Sequence, residues 1–247
     1  MRIRSGKITI ENTNLCPANC VICPRGKYTA KLGIMSFQLF AKIINNLAQQ
    51  TNVDTVDIGG FGEPFADKLL FDRCRLIREK LPHVKIFTSS NCYLMTPGKH
   101  DDVALYIDAL KVSVFGVTKE SYEASHRGSV IFTQTRSNIL QLLQRDKRPY
   151  MIGGLTLTDE NRYEMSNWIK FWEGKFDEVY VWEPHNFGGL MNYRVINKTN
   201  QISCGRPFNG PLYVHLDGIV SICCLDINKQ LVIGNMRTQS IPEIFHS

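Results

Sequence analysis

Three cysteines near the start of the chain form the tightest group of metal-ligating residues in the sequence. Cys16, Cys20 and Cys23 have the spacing C-x3-C-x2-C. Three thiolates on one loop can hold three irons of a cubane iron–sulfur cluster and leave the fourth iron open to another ligand. A structural zinc knuckle is the alternative, but zinc needs a fourth ligand and no matched Cys or His pair lies nearby. The spacing therefore favours a [4Fe–4S] cluster with one open iron.

Two short polar motifs follow later in the chain and have the chemistry of a ligand site. The first is Phe61-Gly62-Glu63-Pro64, in which the glycine permits close backbone approach and the carboxylate suits an ammonium group. The second is the segment 88–92, Thr-Ser-Ser-Asn-Cys, which contains Ser90 and Asn91. Each motif alone is also compatible with an ordinary turn.

The elements that must position these residues alternate between strand-like and helix-like patterns. Hydrophobic periodicity predicts six strands, at 7–13, 53–58, 84–88, 109–115, 150–157 and 178–182. Predicted helices lie between or after them, at 36–50, 69–81, 99–107, 137–144 and 161–173, the first with Ser36 as N-cap. Both polar motifs come directly after a predicted strand, so they should share one rim of the sheet.

Six strand–helix units predict a parallel sheet with helical crossovers. Since eight units close a barrel, the expected fold class is α/β, a partial (β/α)6 TIM-like barrel. The pattern changes near residue 185, and the C-terminal part predicts a β-hairpin about Asp217-Gly218 and a short helix at 240–245. The expected domains are therefore the partial barrel, 1–185, and a small hairpin and helix module, 186–247.

The cysteine spacing, together with the two polar motifs, resembles the radical S-adenosylmethionine (SAM) superfamily. Phe61 to Pro64 is similar to that family's GGEP motif, with Phe61 in place of the first glycine. The resemblance implies that the open iron binds SAM, which is cleaved to a 5′-deoxyadenosyl radical. It also implies SAM contacts from the residues that match the family's motifs: Phe61, Gly62, Glu63, Pro64, Ser90, Asn91, Ser113 and Arg127. Asn161 and Glu164 match a recurrent N-x-x-E, interpreted as helix-start chemistry.

The C-terminal cysteines resemble a SPASM/twitch module. Cys204 precedes the hairpin and Cys223 follows it, at the positions of ligands to an auxiliary [4Fe–4S] cluster, while Cys224 stands where a second cysteine is often non-ligating. The module's remaining ligands would lie beyond Ser247. The site is then truncated, incomplete, or completed by Cys224 or another group.

Three functions are compatible with these residues. The first is oxidation or epimerisation of a small polar substrate, a sugar or aminocyclitol; the plan resembles the aminocyclitol dehydrogenase type, and the short segment before Cys16 favours a small substrate. In epimerisation, Cys92 or Cys224 would return the hydrogen. The second is modification of a ribosomal peptide. The third, from another class, is a non-catalytic metal-binding interaction protein, in which the two rim motifs would have no role.

Composition narrows the class of protein and partner. The 247 residues are 43 % apolar and 21 % charged, enough to form a folded core. The net charge of +6 comes from scattered lysines and arginines, which favours a solvated surface over nucleic-acid binding. We expect a cytoplasmic protein without a membrane span. Its partners would be the substrate and a reductant such as flavodoxin or ferredoxin.

Overall fold

The computed structural model describes residues 6–49, 52–193, 205 and 210–246. Six parallel strands form one sheet in chain order, each paired with the next. They are β1 (Lys7–Ile10), β2 (Thr55–Ile58), β3 (Lys85–Ser90), β4 (Ala109–Ser113), β5 (Tyr150–Thr156) and β6 (Glu178–Trp182). The predicted partial (β/α)6 barrel is therefore confirmed.

Helices connect the strands. They are α1 (Phe37–Leu47), α2 (Leu70–Lys80), α3 (His100–Tyr106), α4 (Lys119–Ser125), α5 (Phe132–Leu143), α6 (Met165–Trp172) and, at the C-terminal end, α7 (Ile241–His246). Helix α1 begins where Ser36 accepts a hydrogen bond from the Leu39 amide, as its N-cap prediction required. Its apolar face, which includes Phe40 and Ile43, is fully buried.

Helix α5 starts at Phe132 rather than 137 and α6 at Met165 rather than 161, and two further parts of the barrel differ from the sequence prediction. Strand β1 ends at Ile10 rather than residue 13, because Asn12 accepts a hydrogen bond from the Met35 amide and the chain leaves the sheet to start the cysteine loop. Helix α4 was not predicted at all. Its buried face consists of Ser121, Tyr122 and Ser125, so it lacks the apolar periodicity that marks a helix in sequence.

The C-terminal segment extends the same sheet. Strand β7 (Leu212–Val214) pairs in parallel with β1, and β8 (Ile219–Ser221) and β9 (Val232–Asn235) add antiparallel strands beyond it. The predicted hairpin turns at Asp217-Gly218, where Gly218 has φ +88° and its amide donates to the His215 carbonyl. The sequence did not predict β9. Because β7 lies beside β1, the hairpin is placed next to the cysteine loop.

Helix α7, predicted at 240–245, starts with a capping box. The Ser240 amide donates to the Glu243 carboxylate at 2.6 Å, and the Glu243 amide donates to Ser240 Oγ at 3.4 Å. Within the described ranges, no helix is long and apolar enough to cross a membrane.

Candidate active site

The cysteine loop leaves β1 and is closed around one arginine. The Arg25 guanidinium donates to the carbonyls of Cys16 and Ala18, at 2.5 and 2.6 Å. The Cys23 amide donates to the Cys20 carbonyl at 3.0 Å, and the Val21 amide donates to the Ser125 carbonyl at 2.9 Å. The loop is therefore fixed both internally and to the end of α4, which holds its three cysteines in one region.

The three thiols resist ionisation in the metal-free protein. Burial raises the pKa of Cys16 to about 11, and the neighbouring Glu63 charge raises it further. Burial also raises the pKa of Cys20, as do the charges of Cys23 and Cys16. Because each ionised thiol disfavours ionisation of its neighbours, the loop needs bound positive charge to hold three thiolates together.

The donor set fits a cluster better than a single zinc ion. Among the described residues, no three His, Cys, Asp or Glu side chains converge on a point as a single-ion site requires. A cubane instead presents its irons at separate corners, each of which takes one thiolate. Three neighbouring cysteines would hold three corners and leave the fourth iron open.

Glu63 is the central polar residue of the first rim motif. It is only 1 % exposed. Its Oε1 accepts a hydrogen bond from Ser90 Oγ at 2.6 Å, and its Oε2 accepts one from the Asn91 amide at 2.9 Å. Burial raises the pKa of Glu63 to about 7, although these hydrogen bonds act in the opposite direction. The carboxylate thus joins the two rim motifs and is poised to ionise beside a cation.

Gly62 lets the first rim motif pack directly on the cysteine loop. A Cβ at this position would lie 2.2 Å from the Thr13 carbonyl oxygen and 2.8 Å from the Asn14 Cα. The next amide, that of Glu63, donates to the Leu15 carbonyl at 2.8 Å. A glycine is required here because backbone occupies the space of a side chain.

A buried ion pair anchors the far end of the same motif. Arg73 Nε donates to Asp67 Oδ2 at 2.7 Å, and Asn12 Nδ2 donates to the same oxygen at 3.1 Å. Asn12 Nδ2 also donates to the Pro64 carbonyl at 3.3 Å. This network connects the segment after β2 to the segment after β1 and to α2.

The second rim motif reaches the cysteine loop through one amide. Asn91 Nδ2 lies 3.6 Å from Cys16 Sγ, within the range of a hydrogen bond to sulfur. Cys92 follows with φ +60°, a left-handed conformation that favours glycine. Its side chain is fully buried in the core.

One cleft brings the cysteine loop, both rim motifs and Ser113 together, with a volume of about 290 Å³. Its lining contains these residues predicted from the sequence: Cys20, Cys23, Phe61, Gly62, Glu63, Ser90, Asn91, Ser113 and Cys224. Cys16 does not line it, but its Sγ lies 3.6 Å from Nδ2 of Asn91, which does. The strand ends thus converge at one rim, as the parallel topology predicts.

Other predicted residues lie outside the cleft lining. Arg127 is exposed and donates to Asn19 Oδ1 at 3.3 Å. Pro64 is buried at the start of a 3₁₀ turn, Pro64–Ala66. Cys92 does not line the cleft. Cys223 is partly exposed, and Cys204 falls outside the described residues. The predicted convergence of Cys204 and Cys223 therefore stays a prediction.

Sequence reasoning did not assign two ring-bearing residues of the lining, Phe115 and His126, to the site. Phe115 and His126 border the cleft, with ring centroids 5.4 Å apart and stacked. Burial lowers the pKa of His126 to about 4, so the ring is neutral. Since its Nδ1 lies 2.6 Å from the Tyr122 carbonyl, Nδ1 carries the proton. Residue 126 lies at the end of the helix that the sequence did not predict.

Asn161 and Glu164 brace this aromatic part rather than cap a helix. Asn161 Nδ2 donates to the Phe115 carbonyl at 3.1 Å. Glu164 accepts hydrogen bonds from the Val117 amide at 2.7 Å and from Thr118 Oγ1 at 2.9 Å. Neither side chain makes a helix-capping hydrogen bond, so the helix-start interpretation was wrong. The hydrogen bonds that the two side chains do make give the pair a structural role.

Comparison with known families identifies the C-terminal segment. Residues 204–247 match the SPASM family, an iron–sulfur cluster-binding domain. The resemblance that the sequence indicated for this module is confirmed. No curated protein matches the chain.

Solved structures share the fold over the whole chain. BtrN in complex with AdoMet and 2-DOIA is 19 % identical, with 100 % of this chain and 84 % of that chain covered, and a TM-score of 0.69. The anSMEcpe protein with bound AdoMet is 15 % identical, with coverages of 98 % and 80 % and a TM-score of 0.75. SuiB of Streptococcus suis, bound to precursor peptide SuiA, is 12 % identical, with coverages of 99 % and 65 % and a TM-score of 0.77. The chain has the fold of these radical SAM enzymes.

Proposed function

We propose that this chain is a radical SAM enzyme that cleaves S-adenosylmethionine and abstracts hydrogen from a small polar substrate. The observation that carries the proposal is the single cleft in which Cys20, Cys23, Glu63, Asn91 and Ser113 meet. Cysteine thiols, a buried carboxylate and small polar groups are there brought together from the ends of β1, β2, β3 and β4 at one rim. Their sequence motifs are those that bind the cluster and SAM in the family that the chain resembles.

Cys16, Cys20 and Cys23 would hold the [4Fe–4S] cluster, which supplies the electron for reductive SAM cleavage when bound. Glu63 would accept hydrogen bonds from the SAM ammonium group, since its carboxylate is buried and ionises near neutral pH. Asn91 would orient Cys16 through its amide. Ser113 would contact the ribose, and the Phe115 ring would exclude water from that side of the cleft.

For the substrate, we favour a small polar molecule such as a sugar or aminocyclitol, which is oxidised or epimerised. The likeness to BtrN, whose structure contains AdoMet and 2-DOIA, supports this class. In epimerisation, Cys224 is a better hydrogen donor than Cys92, because Cys224 borders the cleft whereas Cys92 is buried away from it. In oxidation, an auxiliary cluster in the SPASM segment would accept the remaining electron.

Peptide modification is the second candidate. The observation that favours it is the likeness to SuiB bound to precursor peptide SuiA, with a TM-score of 0.77. A non-catalytic metal-binding role explains neither the buried Glu63 nor its bonds to the second rim motif, so we do not retain it.

The test is SAM cleavage by the anaerobically reconstituted protein with dithionite. We expect 5′-deoxyadenosine from the wild type and none above background from a Cys16→Ala/Cys20→Ala/Cys23→Ala variant. Cys74→Ala is the matched control, because Cys74 is fully buried in α2 and lies outside the cleft lining. Undiminished 5′-deoxyadenosine in the triple variant would defeat the proposal.

A further inference from the structure

The inner face of the sheet carries charged side chains, unlike the outer face. Side chains alternate between faces along a strand. The outward positions on β1 and β2, such as Ile8, Ile10 and Val56, are fully buried and apolar. The inward positions include Lys7, Asp57 and Lys111, which are partly exposed. The barrel interior is therefore a polar lumen below the cleft.

One acid–base pair in this lumen is already satisfied. Lys7 Nζ lies 3.2 Å from Asp57 Oδ2. Thr9 Oγ1 donates to the same oxygen at 3.3 Å, and Lys7 Nζ lies 4.2 Å from the centre of the Phe87 ring. The Asp57 carboxylate thus has partners within the protein.

Lys111 is the lumen cation that lies outside the Lys7–Asp57 pair. Its Nζ lies 4.1 Å from the centre of the Trp182 ring, and it makes no hydrogen bond or ion pair of 4.0 Å or less with any described residue. Burial lowers the pKa of Lys111, while the Asp57 charge acts against that shift. An ammonium group has three donors, so Lys111 can donate to an anionic group bound in the lumen as well as to water.

This lysine lies directly below the SAM cleft. It is the register partner of Ser89 on β3 and precedes Ser113 on β4 by two residues, which places all three side chains on the inner face. Ser89 and Ser113 both line the cleft. On β5, between the strands that carry Lys111 and Trp182, a Cβ at Gly154 would lie 2.8 Å from Trp182 Cζ3 and 3.4 Å from Lys111 Cε, so this glycine leaves room for both side chains.

We propose that Lys111 binds an anionic group, a carboxylate or a phosphate, on the small-molecule substrate, with the Trp182 ring as the adjoining apolar wall. This inference rests on the proposed function and deepens it by naming the charge of the substrate. Lys7, Lys111 and Asp57 together carry one net positive charge, which a monoanionic substrate group would neutralise. Among the described residues, the lumen carboxylate of Asp57 is already bonded to Lys7 and Thr9, so it is not free to meet a cationic amine. A sugar acid or sugar phosphate therefore fits the lumen better than an aminocyclitol.

Four methyl-bearing probes of similar size test the charge preference by saturation-transfer NMR on the reconstituted protein. They are acetate, methylphosphonate, neutral acetamide and the cation methylammonium. We expect saturable binding of at least one anion, and about tenfold weaker binding in Lys111→Gln, from the loss of one charge-assisted hydrogen bond. Lys111→Arg, which keeps the charge, should bind the anion within about threefold of wild type.

Lys175→Gln is the matched control, because Lys175 also lies over an aromatic ring, that of Phe171, but on the exposed surface. It should leave anion binding unchanged. Preference for methylphosphonate or for acetate would identify a phosphate or a carboxylate. Binding of neither anion, equal binding in Lys111→Gln, or equal binding of acetamide would overturn the inference. If the same wild-type preparation still yields 5′-deoxyadenosine from SAM, that failure leaves the proposed function standing.

Discussion

At the scale of single residues, the ionisation of Glu63 depends on what binds beside it. Its pKa of about 7 reflects burial in the absence of a cation. Below that pH the carboxyl is protonated and cannot accept hydrogen bonds from an ammonium group through both oxygens, whereas above it the carboxylate can. SAM affinity should therefore rise with pH through neutrality.

We expect SAM affinity to increase by up to roughly tenfold between pH 6 and pH 8, following the ionised fraction of Glu63. Calorimetric titration of the oxidised, reconstituted protein would measure this. Glu63→Gln should bind SAM more weakly and without this pH dependence. Glu164→Gln, a buried carboxylate outside the cleft, should retain the slope. The same slope in Glu63→Gln would show that another group controls binding.

The two candidate hydrogen-donor thiols can be separated by their accessibility. Cys224 is partly exposed and borders the cleft, whereas Cys92 is fully buried. N-ethylmaleimide should modify Cys224 of the metal-free native protein and leave Cys92 unmodified until the protein is unfolded, as peptide mass mapping would show. Equal labelling of both cysteines in the folded protein would contradict this placement.

At the scale of elements, the loops after β1 and β2 function as one unit. Gly62 allows them to meet, and the Asp67–Arg73 pair holds the end of the second loop. Two variants test these two contacts separately.

Gly62→Ala should weaken SAM binding by tenfold or more, because the new Cβ would displace backbone of the cysteine loop and move Glu63 with it. Gly26→Ala is the control within the same loop, since a Cβ at Gly26 would meet nothing within 4 Å. Comparable SAM affinity in both variants would mean that the loops need not be in contact.

Asp67→Ala should lower the free energy of unfolding by about 3–5 kcal/mol, because it leaves the Arg73 charge buried without its carboxylate. Urea denaturation measures the difference. Asp72→Ala removes an exposed partner of Arg75 and should cost less than about 1 kcal/mol. A loss below about 1 kcal/mol in Asp67→Ala would contradict the anchoring role.

At the scale of the whole molecule, the sequence predicted best the strands and helices whose apolar residues follow a clear period. The six strands could be predicted because apolar runs alternate with helical patterns, and strand 178–182 has the bounds predicted for it. Helix α4 could not be predicted, because its buried face is polar apart from Tyr122. Strand β9 was also missed, being short and having an exposed Val232.

The cleft could be predicted in part for the same reason. Its motif residues lie at the end of a strand or just after it, so parallel topology alone brings them to one rim. His126 and the charges of the lumen could not be found in this way. Lys7, Asp57 and Lys111 are each about 50 residues apart in sequence, and only the register of β1 to β4 brings them onto one face.

The SPASM segment predicts a second cluster in the molecule. We expect about eight irons per chain after anaerobic reconstitution, falling to about four in Cys204→Ala/Cys223→Ala, since each cubane holds four. Cys92→Ala is a control that removes a cysteine assigned to neither cluster. About four irons in both the wild type and the double variant would remove the electron acceptor from the oxidation pathway.

The most direct test of the central claim is the electron paramagnetic resonance spectrum of the reconstituted, dithionite-reduced protein with and without SAM. Open coordination at the cluster of Cys16, Cys20 and Cys23 predicts a reduced [4Fe–4S] signal whose g-values shift when SAM is added. The shift should persist in Cys204→Ala/Cys223→Ala and be absent in Cys16→Ala/Cys20→Ala/Cys23→Ala, where any remaining signal would come from the cluster of the SPASM segment alone. A reduced-cluster signal that SAM leaves unchanged in the wild type would contradict the account.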